Sequence, residues 1–376
     1  MINPELNNRL PRLEFIGPMI GRKPGHATMQ GQILSALFAD AGYPVTAVSD
    51  VVNRYLRLLD IIRTIIGNQY SVDVMVLEVY GGASFVVEDI ASWLGKRFGH
   101  RIVMWLHGGA IPEFMARYPN WTKRVLGRAD FLVAPSEFLA RIVVPYGLRA
   151  TVIPNVIEIG AYRYRHRAAV SPRLFWMRNL HPIWNPEMAI RVLARLKQTV
   201  ANATLVLAGP DKGSRSDVEN LAKKLEVADS VRLTGFLDRA GKTREGDAAD
   251  IFINTNRIDN MPVAIVEACA MGLPVVSTDV GGIPDLLTEG ESGLLVPDDD
   301  EQAMTDAILC LLNNPKMAAR LSANGLQVAE CSSWNHVRRE WETLFEMMGY
   351  STVALPELSL AASGSTAVLS LKQSLG

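Results

Sequence analysis

Twelve short apolar runs, separated by helical patterns, recur from one end of the 376-residue chain to the other. In the first half they are RLEFIGP, PVTAVS, DVMVLEV, RIVMWLH, DFLVAPS and ATVIPN. In the second half they are RLFWMR, TLVLAGP, SVRLTGF, DIFINT, PVVST and GLLVP. Helical stretches lie between them, among them Thr28–Ala41, Pro186–Thr199, Val218–Leu225 and Glu301–Asn313. A strand that is apolar on both faces must be covered on both faces, which is the condition of a parallel sheet with helical crossovers. Two sets of about six strands therefore predict an α/β protein made of two doubly wound, Rossmann-like domains. Ligands of such domains bind beyond the carboxyl ends of the strands, so the expected site is the cleft between the two.

The spacing predicts an N-terminal domain over residues 1–165 and a second domain over 166–331, joined near the basic, strandless stretch AYRYRHRAAVSP. The last strong helical pattern, residues 332–348, carries an apolar stripe at Trp334, Val337, Trp341, Leu344, Phe345 and Met348. The Ser/Ala/Leu-rich tail, residues 351–376, has no such pattern and is expected to be disordered. Net charge is −1, but residues 1–165 carry 18 Lys and Arg against 13 Asp and Glu. That excess suits an anionic partner such as a phosphate or a membrane surface, and equally a solvated surface of uneven charge. The stripe beginning Tyr55-Leu56-Arg57-Leu58-Leu59 suits a membrane surface, although a core-facing helix explains it better. The three cysteines form no CxxC pair, which disfavours zinc ribbons and redox motifs. No signal peptide is recognisable at the N-terminus and no apolar run is long enough to span a bilayer, so a cytoplasmic location is expected, including the inner face of the membrane.

The residues that follow the strands carry the chemistry. Gly21 and Gly25 precede a helix, an arrangement open to anions, though not a P-loop or a GxGxxG fingerprint. His107 ends RIVMWLH and enters a double glycine, a position that faces a cleft. Arg178 leaves RLFWM and has the fork geometry that matches phosphate. After DIFINT, the stretch DNMPVAIVEACAMG reads as a helix opened by Pro262 and stopped by Gly272. Its only carboxylate past the opening is Glu267, which burial would penalise without a partner. A polyhydroxyl ligand or a salt bridge to Arg257 would each satisfy it. DVGGIPDLL supplies a further glycine turn, and Asp298–Asp300 reads as a helix-capping loop rather than a metal site.

Together these residues resemble glycosyltransferase family 4, the retaining nucleotide-sugar transferases of GT-B fold. The resemblance runs to about Met348. It rests on an acid at Asp259 followed after seven residues by Glu267-Ala268, on GLPVV, on the GG turn, and on LHGG, LVAPSEFLA, VIPNVI and LVLAGP. It implies that Glu267 holds the donor ribose and that Asp259 lies against the donor sugar. Asn260, Met261, Pro262 and Val263 would bring backbone to the sugar and its phosphate, and Arg178 would bind the diphosphate. His107 would lie near the sugar, Gly25 near the diphosphate, and Gly235 and Phe236 beside the base.

Two departures stand out. The first acid is Asp259 where the family usually has Glu, and NLHPIWNPE after Arg178 lacks the usual lysine, which Lys212, Arg22 or Lys23 would have to replace. The implied reaction moves a sugar from a nucleoside diphosphate to an acceptor hydroxyl with retention, in polysaccharide or glycoconjugate synthesis. The acceptor would be a glycan, a lipid-linked glycan or a small molecule, with peripheral membrane association a further expectation. No metal, cofactor or nucleic-acid partner is expected. The rival readings are a nucleotide-sugar epimerase of the same fold and a non-catalytic nucleotide-sugar-binding subunit.

Overall fold

The structure, a computed structural model, describes residues 9–21, 28–109 and 111–353. All twelve apolar runs form strands. Six build the first sheet: β1 (Leu13–Ile16), β2 (Val45–Val48), β3 (Val74–Tyr80), β4 (Arg101–His107), β5 (Phe131–Ala134) and β6 (Ala150–Val152). Six build the second: β7 (Arg173–Met177), β8 (Thr204–Ala208), β9 (Val231–Gly235), β10 (Ile251–Asn254), β11 (Val275–Thr278) and β12 (Leu294–Val296). Every pairing is parallel, in the orders β2-β1-β3-β4-β5-β6 and β12-β11-β10-β7-β8-β9.

Each sheet is covered on both faces, because alternate side chains of its central strands enter different cores. In β3, Met75, Leu77 and Val79 face α2 (Arg54–Gly67) and α3 (Phe85–Arg97), whereas Val74 and Val76 face α1 (Gln30–Asp40). The second sheet likewise divides its strands between two apolar cores.

The helix Trp334–Met347 leaves the second domain and fills the α1 side of the first sheet. Val337, Trp341, Leu344 and Phe345 are buried there with Leu13, Phe15 and Phe38. The Trp341 ring meets Trp105 edge-on, with centroids 5.5 Å apart. The same helix carries a buried Arg338–Glu342 pair at 2.8 Å, and Tyr43 donates its hydroxyl to Glu342 at 2.6 Å. The chain beyond Val353, including most of the tail expected to be disordered, lies outside the described residues.

The stretch Tyr55–Arg63 is not simply a core-facing helix. α2 buries Ile61 and Ile65, while Tyr55, Leu56 and Leu59 are 73%, 57% and 58% exposed. The stretch Ala161–Pro172 is docked rather than free. Arg167 is buried and donates to the carbonyls of Gly246, Ala249 and Met271, and Arg165 reaches Asp250. Among the described residues, no helix is long and apolar enough to cross a membrane.

Replacing Trp341 by Ala should empty the seam between the last helix and the first sheet. Large-to-small changes of this kind cost about 3–5 kcal/mol. Urea unfolding should show a loss in that range, and a loss below about 1 kcal/mol would mean that the helix does not support the first domain.

Candidate active site

In both sheets the strand order reverses once, and a crevice opens where crossovers depart to opposite faces. In the second sheet that point lies between β7 and β10. Arg178 follows β7 directly, and the loop carrying Asp259 follows β10. Arg178 Nη2 donates to Asp259 Oδ2 at 2.5 Å, and the guanidinium lies 4.1 Å from the centroid of the Trp184 ring. Asp259 is buried, and also accepts from Asn256 Nδ2 and from the Asn260 amide, each at 2.8 Å. Burial lifts its carboxyl above the usual carboxylate range, against the opposing pull of Arg178 and the two amide donors.

The backbone of this loop is held by the glycine turn after β11. Gly282 donates its amide to the Asp259 carbonyl at 2.8 Å. Gly281 sits at φ 59°, and a Cβ on Gly282 would run into the Asn260 carbonyl and come within 3.2 Å of Ser136 Oγ. The helix that follows is Val263–Ala270, shorter than the expected Pro262–Gly272. Pro262 is its cap rather than its first residue and gives no side-chain capping bond. The first amides of the helix are therefore left without a side-chain cap.

Glu267 is buried within that helix, and its partner is not Arg257, which instead faces Asp298 and Asp299. Lys242 Nζ approaches both Glu267 oxygens, at 2.8 and 2.9 Å, and the Tyr162 hydroxyl donates to Oε1 at 2.6 Å. Burial and the neighbouring carboxylate together push the Tyr162 phenol up, so it stays a donor. Sequence reasoning missed both partners. Lys242 stands in LDRAGK, after β9, and only its position on the rim hinted at a role.

Gly235 closes β9 at φ 70°, and Phe236 beside it is 69% exposed. Asn260 and Met261 are buried, with Asn260 Oδ1 lacking a partner. Asp300 caps the helix Glu301–Asn313 through the Ala303 amide, as a capping loop should. Gly25, Arg22 and Lys23 lie outside the described residues. Among the described residues, no group of three His, Cys, Asp or Glu is arranged to hold a metal ion.

His107 ends β4 in the first domain, apart from the Arg178 and Glu267 clusters. Its ring stacks on Tyr80 and lies against Trp105. Burial drives its pKa down to about 3, so the imidazole is neutral at ordinary pH. Its Nε2 lies 3.7 Å from Glu78 Oε1, too long for a hydrogen bond and, with a neutral ring, not an ion pair. Glu78 itself is pushed up to about 7 by burial, and Glu88 on α3 to about 8 by burial and by Glu78. Neither acid was singled out from the sequence. Glu78 hides inside the apolar run DVMVLEV, and Glu88 reads as an ordinary first-turn acid.

The two domains touch close to these groups. The Asn155 amide donates to Met261 Sδ at 3.2 Å. Arg141 grips both Asp285 oxygens, at 3.0 and 2.9 Å.

Two facing doubly wound sheets, with cations, acids and helix amides gathered at their strand ends, define the GT-B class. Residues 170–328 match the family described as glycosyl transferases group 1. The phosphatidyl-myo-inositol mannosyltransferase of Mycobacterium leprae is 27% identical over 61% of this chain and 62% of its own length. The D-inositol 3-phosphate glycosyltransferase of Acidothermus cellulolyticus is 28% identical over 73% of this chain and 66% of its own. The chain thus spans less than two thirds of either relative. Anabaena HepE, solved with UDP and glucose, shares the fold with a TM-score of 0.71 at 18% identity, over 90% of this chain and 100% of its own.

The buried acids make stability depend on pH with a definite sign. A carboxyl whose native pKa exceeds its unfolded value of about 4.3 binds its proton more tightly when folded. Its contribution is complete below about pH 4 and is lost as pH rises through 7 to 8. Glu88→Gln should therefore shrink the fall in urea midpoint between about pH 5 and about pH 9. An unchanged fall would mean that Glu88 ionises normally.

Proposed function

We propose that the protein is a retaining glycosyltransferase that moves a sugar from a nucleoside diphosphate to an acceptor hydroxyl. The observation that carries this is the Arg178–Asp259 pair at the switch point, beside a helix N-terminus without a side-chain cap. A diphosphate entering the crevice would meet Arg178 and the first amides of the helix, groups placed to stabilise a developing negative charge. Asp259, one methylene shorter than the family's usual acid, would face the sugar. Glu267 would accept ribose hydroxyls, its Oε2 engaged by Lys242 alone among the described residues. Lys242 brings a cation to the site, and the exposed Phe236 offers a face for the base. Several similar folds were solved with UDP or UDP-glucose, which supports a uridine nucleotide as the first donor to test. The departing phosphate would take the acceptor proton, as the resemblance implies.

Incubation with UDP-glucose should release UDP, and UDP should raise the melting temperature of the wild type by mass action. Glu267→Ala should abolish most of that thermal shift. Arg178→Ala should lower UDP release about 100-fold, the scale of a lost transition-state donor. No thermal shift with UDP, GDP or ADP would refute the nucleotide-sugar reading. Epimerised donor without acceptor transfer would favour the epimerase alternative.

The reading extends to an acceptor displayed on an anionic membrane. α2 and α3 expose Tyr55, Leu56, Leu59 and Trp93 on the first domain, and Arg54, Arg63 and Arg97 are exposed on the same helices. Apolar side chains rimmed by arginines fit the boundary of an acidic bilayer. Phosphatidylglycerol vesicles should sediment the protein and phosphatidylcholine vesicles should not, with Leu56→Asp reducing capture. Equal recovery in the supernatant with both lipids would exclude this surface.

A further inference from the structure

Arg178 stands at the β7–β10 crevice, and the fold fixes it from several directions. The Arg178 amide donates to the Ala208 carbonyl of β8 at 2.9 Å, and a Cβ on Gly209 would run into the Arg178 carbonyl. The guanidinium Nη2 ends on Asp259 Oδ2 at 2.5 Å. Its face lies over Trp184, 4.1 Å from the ring centroid. Nε, on the same edge as Nη2, is buried without a partner among the described residues. Asp259 thus uses one arm of a fork that can hold two oxygens.

Trp184 ends the single turn Pro182–Trp184, which is tied to both strands that border the crevice. The Thr255 hydroxyl, just past β10, lies 2.9 and 2.8 Å from the carbonyls of Trp184 and Asn185, and accepts from Trp176 Nε1 of β7 at 2.9 Å. The Arg257 amide donates to the Ile183 carbonyl at 3.0 Å. Asn185 then turns the chain at φ 48°, a left-handed conformation that Asn tolerates, and is itself buried with its side chain on Asp299. The Trp184 side chain packs on the core of the second domain. Its backbone and its packing therefore both fix the ring beside Arg178.

A carboxylate and a ring act on a guanidinium differently. Asp259 occupies an N–H donor, so it competes with any other anion for that donor. The ring attracts the cation through its face and leaves every N–H group free. When a phosphate replaces Asp259, the contact at the edge changes and the contact at the face does not. Without the ring, Arg178 would lose its rotamer freedom only on meeting the phosphate, a cost that subtracts from binding.

We propose that Trp184 is the positioning residue of Arg178: its ring holds the guanidinium in place while the partner at the edge changes from Asp259 to the donor diphosphate. The inference rests on the transferase reading above for the identity of that anion. Trp184 touches no reacting atom in this arrangement. It acts on donor affinity and on turnover through Arg178, which separates it from a residue that merely fills the core.

The test uses the full chain, with UDP and UDP-glucose as probes. UDP affinity is read by calorimetric titration, and kcat/KM by UDP release from UDP-glucose. Trp184→Phe keeps an aromatic face and should stay within about threefold of wild type in both. Trp184→Leu keeps apolar bulk without the face and should lower both about tenfold, the equivalent of roughly 1.4 kcal/mol. In an Arg178→Ala background the same change should cost less than about twofold, because the cation that the ring serves is gone. Fluorinated tryptophan at position 184 keeps the shape and weakens the negative face of the ring, which keeps the test decisive where the leucine variant folds poorly. UDP affinity should fall as fluorine is added. A Trp184→Leu protein that matches wild type, an equal loss with and without Arg178, or an affinity indifferent to fluorine would each overturn the proposal while leaving the transferase reading intact. A wild type that binds no UDP would instead defeat the transferase reading, and this inference with it.

Discussion

The reversal of strand order within each parallel sheet is the constraint on which the remaining structure depends. Right-handed crossovers that leave adjacent strands toward opposite faces cannot fill the gap between those strands. In this protein the gap occurs between β1 and β3 and again between β7 and β10. Buried acids lie at both of those places. Arg178 and Asp259 occupy the second gap, and Glu78, Tyr80 and Glu88 border the first.

The two crevices differ in how their charge is balanced. At the second, the buried Asp259 faces a guanidinium and two amide donors, and Glu267 faces Lys242 and Tyr162. Those acids have partners that an incoming nucleotide can share or displace. At the first, Glu78 and Glu88 meet no cation among the described residues, and their proton affinity rises with burial. The helix Trp334–Met347 packs on the first sheet and, through Ser332 at Ile157, stays tied to the connection between the domains, so the relation of the halves is anchored by burial as well as by chain.

Much of this was legible in the sequence because parallel strands announce themselves as apolar runs between helices. All twelve runs are strands, and the ranges chosen for them differ from the observed elements by only a few residues at their ends. Contacts between elements were harder to read. Arg257 was the nearest cation in sequence to Glu267, but it lies on the other side of the β10 loop, facing Asp298 and Asp299. Lys242 reaches Glu267 from the helix Arg239–Ala248, a contact between separate elements that no spacing in the sequence reveals. Glu78 was concealed by the hydrophobicity of its own strand. In α2, the apolar residues outnumber those that the core can cover, which leaves Tyr55, Leu56 and Leu59 in solvent despite their helical spacing.

The central claim is that a nucleoside diphosphate sugar lies across the β7–β10 crevice. The most direct measurement is a crystal structure of the protein soaked with UDP-glucose. The account predicts diphosphate density against Arg178 and the amides opening the helix Val263–Ala270, with the ribose hydroxyls on Glu267. Nucleotide bound elsewhere, with Arg178 still closed on Asp259, would contradict it.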